Sequence, residues 1–94
     1  MSKSGWIYCL RGPDNLVKIG KSQRKPTQRV AEYSPLLPFE TEIEIEFQAN
    51  DMNAAEEILH GWFKNFHARG EWYKIPSQTL SLWIAVLSNN QVAL

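Results

Sequence analysis

The chain has 94 residues, of which 44% are apolar and 12% aromatic, so it can bury one compact core and leaves no room for a second domain. Ten basic and ten acidic side chains give no net charge, which argues against strong non-specific binding to nucleic acid. The one cysteine, Cys9, excludes an internal disulfide, and no apolar run approaches the roughly 20 residues that span a bilayer. We therefore expect a single domain over residues 1–94, located in the cytoplasm.

The charges are unevenly distributed along the chain. Residues 1–31 hold Asp14 as their only acidic side chain, and the rest of the chain has a matching excess of acid. This separation favours a polarised surface whose positive part meets phosphate groups. The alternative is an accidental skew, with the charges dispersed in three dimensions. The basic side chains of this segment are Lys3, Arg11, Lys18, Lys21, Arg24, Lys25 and Arg29.

The first third of the chain predicts a β-hairpin followed by a helix. Two β-prone runs, residues 6–10 and 16–19, are separated by Arg-Gly-Pro-Asp-Asn, whose composition favours a turn. Pro26 suits the first turn of a helix that runs through Tyr33, and the two prolines that follow end it.

Residues 41–47 alternate strictly between glutamate and apolar side chains, which predicts a half-buried strand. A row of carboxylates at alternate positions could resemble a metal site. The pattern is more typical of a solvated sheet face, which DNA should avoid. The glutamates are Glu42, Glu44 and Glu46, and the inward positions are Ile43, Ile45 and Phe47.

Residues 51–68 have helical periodicity, with Asn50 or Asp51 as the cap and Gly70 just beyond the end. The apolar arc of this helix contains Ala55, Ile58, Leu59, Trp62, Phe63 and Phe66. Residues 71–75 then predict a short strand. Pro76 and Ser77 open a last helix that packs inward through Leu80, Trp83, Ile84 and Leu87. The fold class is thus α+β, with a small central antiparallel sheet, formed by a hairpin and a third strand, flanked by helices.

Glu56 lies about 20° beyond the edge of the apolar arc, with His60 and His67 on the same flank. A carboxylate at the rim of an apolar face can reach a cleft while packing holds the aliphatic part of its side chain, as a metal ligand requires. The alternative is a surface Glu-His pair with no special role. Glu57 points outward, so helical phase favours Glu56 over Glu57 as a ligand. Neither histidine has a partner at zinc-finger spacing.

Three further residues are candidates for chemistry. Tyr8 lies on the first strand, where a tyrosine is either a side chain of the core or a catalytic residue. Lys18 interrupts an otherwise apolar second strand, so it needs an anion, a partner or an exit to water. Arg29 is an ordinary surface arginine unless the fold brings it to the other two.

The order of these pieces resembles the GIY-YIG nuclease superfamily, in its T5orf172 / MUG113-like branch. The first motif is matched by Gly5-Trp6-Ile7-Tyr8 and the second by Lys18-Ile19-Gly20, and Arg29 matches the arginine of the next helix. The acidic helix of the branch is matched by residues 54–60, and its closing signature by residues 70–73. The resemblance extends from about Gly5 to Ile75, with five short motifs in the same order.

The resemblance implies a DNA endonuclease that depends on Mg²⁺ or Mn²⁺. In such an enzyme Tyr8 acts on the attacking water, Arg29 holds the scissile phosphate and Glu56 binds the metal. Lys18 lowers the pKa of a nearby phenol and adds positive charge at the phosphate. His60, which closes the acidic helix motif, belongs to the same catalytic group.

DNA is the expected partner, with Lys21, Arg24 and Lys25 as further nucleic-acid-binding residues. A homodimer or a partner protein could add specificity. The rival interpretation is an inactive module with the same fold that binds nucleic acid or a protein. In that case the basic stretch from Lys18 to Arg29 would matter and Glu56 would not.

Overall fold

A computed structural model describes the backbone of residues 3–89 and the side chains of residues 3–85. Strands β1 (Gly5–Arg11) and β2 (Leu16–Ser22) precede helix α1 (Pro26–Tyr33), strand β3 (Glu42–Ala49) and helix α2 (Met52–Trp62). Strands β4 (His67–Arg69) and β5 (Trp72–Lys74) and helix α3 (Ser77–Asn89) follow. None of the helices in this range has the length and hydropathy needed to cross a membrane.

The sheet confirms the predicted α+β class and is wider than the sequence indicates. Its strand order is β3-β1-β2-β5-β4, and every neighbouring pair is antiparallel. The hairpin of β1 and β2 occupies the centre, as predicted, with the alternating strand β3 beside it. The strand predicted at residues 71–75 is β5, and the short strand β4 extends the sheet beyond it.

A tight turn sets the register of the central hairpin. Asp14 and Asn15 have φ angles of 55° and 64°, and the Leu16 N–H donates to the Pro13 carbonyl at 3.0 Å. Two central residues with positive φ make a type I′ turn, whose twist matches that of the strands it joins. The resulting register places Tyr8 directly opposite Gly20.

Both faces of the central hairpin are covered. Alternate residues of β1 and β2 pack against α2 in the main core, which includes Ile7, Cys9, Val17, Ile19, Ala55, Leu59, Phe63, Ile75 and Leu80. The opposite face of β1 presents Tyr8 and Leu10, which are also buried, and α1 contacts this part of the sheet. Because side chains alternate across a strand, the two central strands are held from both sides.

Helix α2 begins as predicted and ends earlier. The Asp51 carboxylate accepts a hydrogen bond from the Ala54 N–H at 3.1 Å, which makes Asp51 the cap. The predicted extension to residue 68 is wrong, because the helix ends at Trp62 and β4 pairs with β5. Gly70, with φ of 58°, forms the turn between these strands instead of ending a helix. Phe66, predicted on the inner arc, is 36% exposed.

The last helix agrees in part with its predicted inner face. Leu80 is buried and Ile84 packs against the core, as expected. Trp83, predicted to point inward, is 39% exposed and lies over the edge of the core, 5.2 Å from the ring of Trp62. The Leu87 side chain lies outside the described residues.

The glutamate row of β3 is not uniformly solvated. Glu42 and Glu46 are exposed, as predicted for a sheet face. Glu44 is half-buried and forms an ion pair with Arg11, with 2.7 Å between nitrogen and oxygen. The pairing of β1 with β3 shifts register between Cys9 and Leu10, next to this ion pair.

Candidate functional site

Two phenols and two cations meet on the α1 side of the sheet. The Tyr33 hydroxyl donates a hydrogen bond to the Tyr8 hydroxyl at 3.1 Å. The Lys18 Nζ lies 4.7 Å from the centroid of the Tyr33 ring, and the Arg29 guanidinium carbon lies 5.3 Å from it. We call these four residues the phenol cluster. The fold therefore brings together Tyr8, Lys18 and Arg29, three of the residues singled out from sequence.

Gly20 makes room for the Tyr8 ring. A Cβ at position 20 would lie 2.5 Å from the Tyr8 Cζ and 2.6 Å from its hydroxyl oxygen. The ring thus covers the bare backbone of β2 and is only 1% exposed. Its hydroxyl is consequently held in one place, in contact with Tyr33.

Tyr33 is the member of the cluster that sequence reasoning missed. A local signal was available, because Arg29 and Tyr33 are four residues apart and thus share one face of α1. Burial raises the pKa of the Tyr33 phenol, and its hydrogen bond to Tyr8 raises it further. Tyr33 therefore keeps its proton at neutral pH and acts as a hydrogen-bond donor to Tyr8.

Lys18 has the partners that its place in an apolar strand requires. Its Nζ lies 3.1 Å from a carboxylate oxygen of Glu71, in the turn between β4 and β5. Its positive charge also faces the Tyr33 ring, an arrangement that contributes about 0.5–2 kcal/mol depending on desolvation. The lysine is thus fixed between a carboxylate and the phenol cluster.

Glu56 lies on the other side of β2. Its side chain is 12% exposed, and a carboxylate oxygen lies 3.3 Å from the Nζ of Lys21. Lys18 and Lys21 are three residues apart on one strand, so they point to opposite faces of the sheet. The structure therefore pairs Glu56 with Lys21 on the face of β2 opposite the phenol cluster. Glu57 is exposed, in agreement with its predicted outward direction.

His60 and His67 have separate environments. The His60 Nε2–H donates to the Ile19 carbonyl at 3.2 Å. The N–H of the same residue, Ile19, donates to the Glu71 carbonyl. His67 belongs to β4, so its predicted place on the flank of α2 is wrong, and its Nε2–H donates to the Gly70 carbonyl. Of the two histidines, only His60 shares a helix with Glu56.

The basic segment is largely neutralised by carboxylates. Arg24 and Arg29 both form ion pairs with Glu32, in addition to the lysine pairs described above. Lys25 is exposed immediately before α1. The excess positive charge predicted for residues 1–31 is therefore met at several points by acidic side chains from later in the chain.

Glu56 is the carboxylate that the sequence predicts as the ligand of a metal ion. Within the described part of the chain, no group of three or more His, Cys, Asp or Glu side chains is arranged to hold one. Mg²⁺ keeps several water ligands and binds through one or two carboxylates together with substrate phosphates. The half-buried Glu56 carboxylate fits that mode of binding.

These features define a small α+β domain in which two phenols and two cations meet between the sheet and α1. The model of the T5orf172 domain family matches residues 5–88. The chain therefore belongs to the T5orf172 domain family, a family of nuclease-like domains. No curated protein and no solved structure gives a significant match.

Proposed function

We propose that this domain is a GIY-YIG-type endonuclease that hydrolyses DNA phosphodiester bonds with Mg²⁺ or Mn²⁺. The observation that carries the proposal is the phenol cluster, in which the Tyr8 and Tyr33 hydroxyls are in contact beside Lys18 and Arg29. Membership of the T5orf172 family and the order of the five motifs support it.

Phosphodiester hydrolysis needs positive charge where the phosphate becomes more negative. Arg29 is 44% exposed and can therefore reach a phosphate in solvent. Its guanidinium is held over the Tyr33 ring, which restricts its direction. In the proposed reaction Arg29 binds the scissile phosphate and Lys18 adds a second positive charge.

The attacking water must lose a proton. In the proposed reaction the Tyr8 oxygen orients the attacking water, whose proton passes to solvent, and the hydrogen bond from Tyr33 holds that oxygen in place. The Lys18 Nζ lies 6.0 Å from the centroid of the Tyr8 ring and places a positive charge on the same face of the sheet. Tyr33 thus takes part in the proposed mechanism by positioning Tyr8.

Glu56 would hold the divalent ion after Lys21 releases its carboxylate. A divalent ion held there would supply Lewis-acid charge to the reaction. His60 follows Glu56 by four residues on α2, so the two side chains are neighbours on the helix surface. We assign to His60 a positioning role, because its hydrogen bond to the Ile19 carbonyl holds α2, and with it Glu56, against β2.

The test is cleavage of supercoiled plasmid and of branched DNA in Mg²⁺ and in Mn²⁺. Glu56→Ala should abolish cleavage, whereas Glu57→Ala, an equal change on the neighbouring exposed position, should preserve it. The wild-type protein in EDTA is the control for metal dependence. Absence of cleavage by the wild type, or equal cleavage by the Glu56→Ala variant, would refute the proposal.

The second candidate is an inactive module that binds DNA or a partner protein. It is favoured by the ion pair of Glu56 with Lys21, which neutralises the carboxylate on the face of β2 opposite Tyr8. This function predicts DNA binding that survives Glu56→Ala and is lost on reversing Arg24 and Lys25. It also predicts that no metal supports cutting.

A further inference from the structure

Glu32 bridges two arginines of the proposed DNA-binding surface. One of its carboxylate oxygens pairs with a terminal nitrogen of Arg24, and the other lies 3.4 Å from a terminal nitrogen of Arg29. Arg24 precedes α1, whereas Arg29 and Glu32 are three residues apart within it. A single acidic side chain thus neutralises two guanidinium groups that come together only in the folded chain.

The two oxygens of a carboxylate resemble the two non-bridging oxygens of a phosphodiester. Guanidinium groups bind both kinds of anion through directed, charge-assisted hydrogen bonds. We propose that Glu32 occupies the binding position of a DNA phosphate between Arg24 and Arg29, and that DNA must displace this carboxylate. The inference rests on DNA as the substrate of the proposed function and adds an internal competitor for that substrate.

The ion pairs that hold Glu32 are open to solvent. The backbone N–H of Arg24 donates to the Oγ of Ser22, which fixes the chain before α1, and the Arg24 side chain itself is 54% exposed. The Arg29 guanidinium lies over the Tyr33 ring. Among the described residues, the partners of the Glu32 carboxylate are these two arginines, and its side chain is 45% exposed. Exposed ion pairs contribute little to stability, so this carboxylate can leave its position at low cost.

Glu32 is ionised under the conditions in which DNA would bind. The hydrogen bond from Arg24 lowers the pKa of the Glu32 carboxyl, so it is negatively charged at neutral pH. A bound phosphate and an ionised Glu32 would repel one another at this position. Displacement of Glu32, rather than simple addition of DNA, is therefore required.

The test measures DNA affinity in EDTA, so that cleavage plays no part. Fluorescence anisotropy with a dye-labelled branched duplex is recorded for the wild type and Glu32→Gln at several salt concentrations. Loss of the competing Glu32 carboxylate should raise the affinity for DNA about fivefold, a change that corresponds to the usual strength of an exposed ion pair. The slope of log affinity against log salt should stay nearly the same, because both proteins neutralise the same phosphates in the bound state.

Two control variants distinguish the effect of the Glu32 bridging contact on DNA affinity from the effect of removing one negative charge. Glu57→Gln removes the same charge from an exposed position of α2 and should change affinity much less than Glu32→Gln. Glu32→Asp retains the charge but shortens the side chain, so it should also tighten binding. If Glu32→Asp binds DNA like the wild type, or if Glu57→Gln matches Glu32→Gln, displacement of the bridging contact is refuted.

Inorganic phosphate provides a second probe, independent of DNA. In Glu32→Gln, titrated phosphate should shift the NMR signals of the Arg24 and Arg29 side-chain N–H groups, and in the wild type the shifts should be much smaller. Equal shifts in both proteins would overturn the inference. Absence of nuclease activity would refute only the proposed function, because neither titration depends on cleavage.

Discussion

The Tyr33 hydroxyl donates a hydrogen bond to the Tyr8 hydroxyl, with 3.1 Å between the oxygens, and so joins α1 to the central strand β1. The contact links a half-buried phenol to a fully buried one. It also places the charges of Lys18 and Arg29 against the Tyr33 ring. The proposed chemistry and part of the stability of this face therefore depend on the same pair.

Stability should fall in alkali in a way that depends on Tyr33. Burial raises the pKa of Tyr33 in the folded protein, so above the ordinary tyrosine pKa of about 10 only the unfolded chain releases this proton. The stabilising contribution is thus complete below about pH 10 and is lost as the pH rises above it. Urea unfolding from about pH 8 to 11 should show a shallower decline for Tyr33→Phe than for the wild type. Parallel declines in the two proteins would contradict this prediction.

Gly20→Ala should destabilise the protein, because the new Cβ would lie 2.5 Å from the Tyr8 ring. Overpacking of this kind costs about 1–3 kcal/mol, and displacement of the ring should also break the hydrogen bond to Tyr33. Gly61→Ala is the matched control, since nothing lies within 4 Å of a Cβ there. Because position 61 is helical, that control should stabilise by up to about 1 kcal/mol. Equal unfolding free energies for the two variants would show that Tyr8 does not lie over Gly20.

Cys9 should be inert in the folded protein. It is fully buried, and burial raises the pKa of its thiol to about 12, so almost none of the reactive thiolate exists at neutral pH. Ellman's reagent at about pH 8 should modify the unfolded chain in urea quickly and the native protein only at the rate of unfolding. Rapid modification of the native protein would place Cys9 at the surface.

Lys21→Met should strengthen the binding of a divalent ion if Glu56 is the ligand. The Lys21 Nζ lies 3.3 Å from the Glu56 carboxylate and competes with the metal for it. Removing an ion pair of this kind should raise Mn²⁺ affinity about two- to fivefold, measured by electron paramagnetic resonance of free Mn²⁺. Lys25→Met, which removes an exposed charge before α1, is the control. Unchanged Mn²⁺ affinity in Lys21→Met would show that Lys21 does not compete with the metal for the Glu56 carboxylate.

Local sequence signals were sufficient for most of the secondary structure. The Asp14 and Asn15 turn, the Pro26 helix start and the Asp51 cap each depend on one or two neighbouring residues, and each occurs in the structure. The predicted end of α2 is wrong because helical spacing of apolar residues continues through Phe66, beyond the last residue of the helix. The chain instead leaves the helix so that β4 can pair with β5, a partner that helical periodicity does not reveal.

The sequence by itself determined the α+β class, the place of Tyr8 on the first strand, and the need of Lys18 for a partner. Strand alternation and helical phase are local properties, so residue spacing is enough to establish them. Only the tertiary structure decided that Tyr33 contacts Tyr8, that Glu56 pairs with Lys21, and that Glu32 spans two arginines. Those contacts depend on strand register and on how each helix lies against the sheet, which are set by packing between residues distant in sequence.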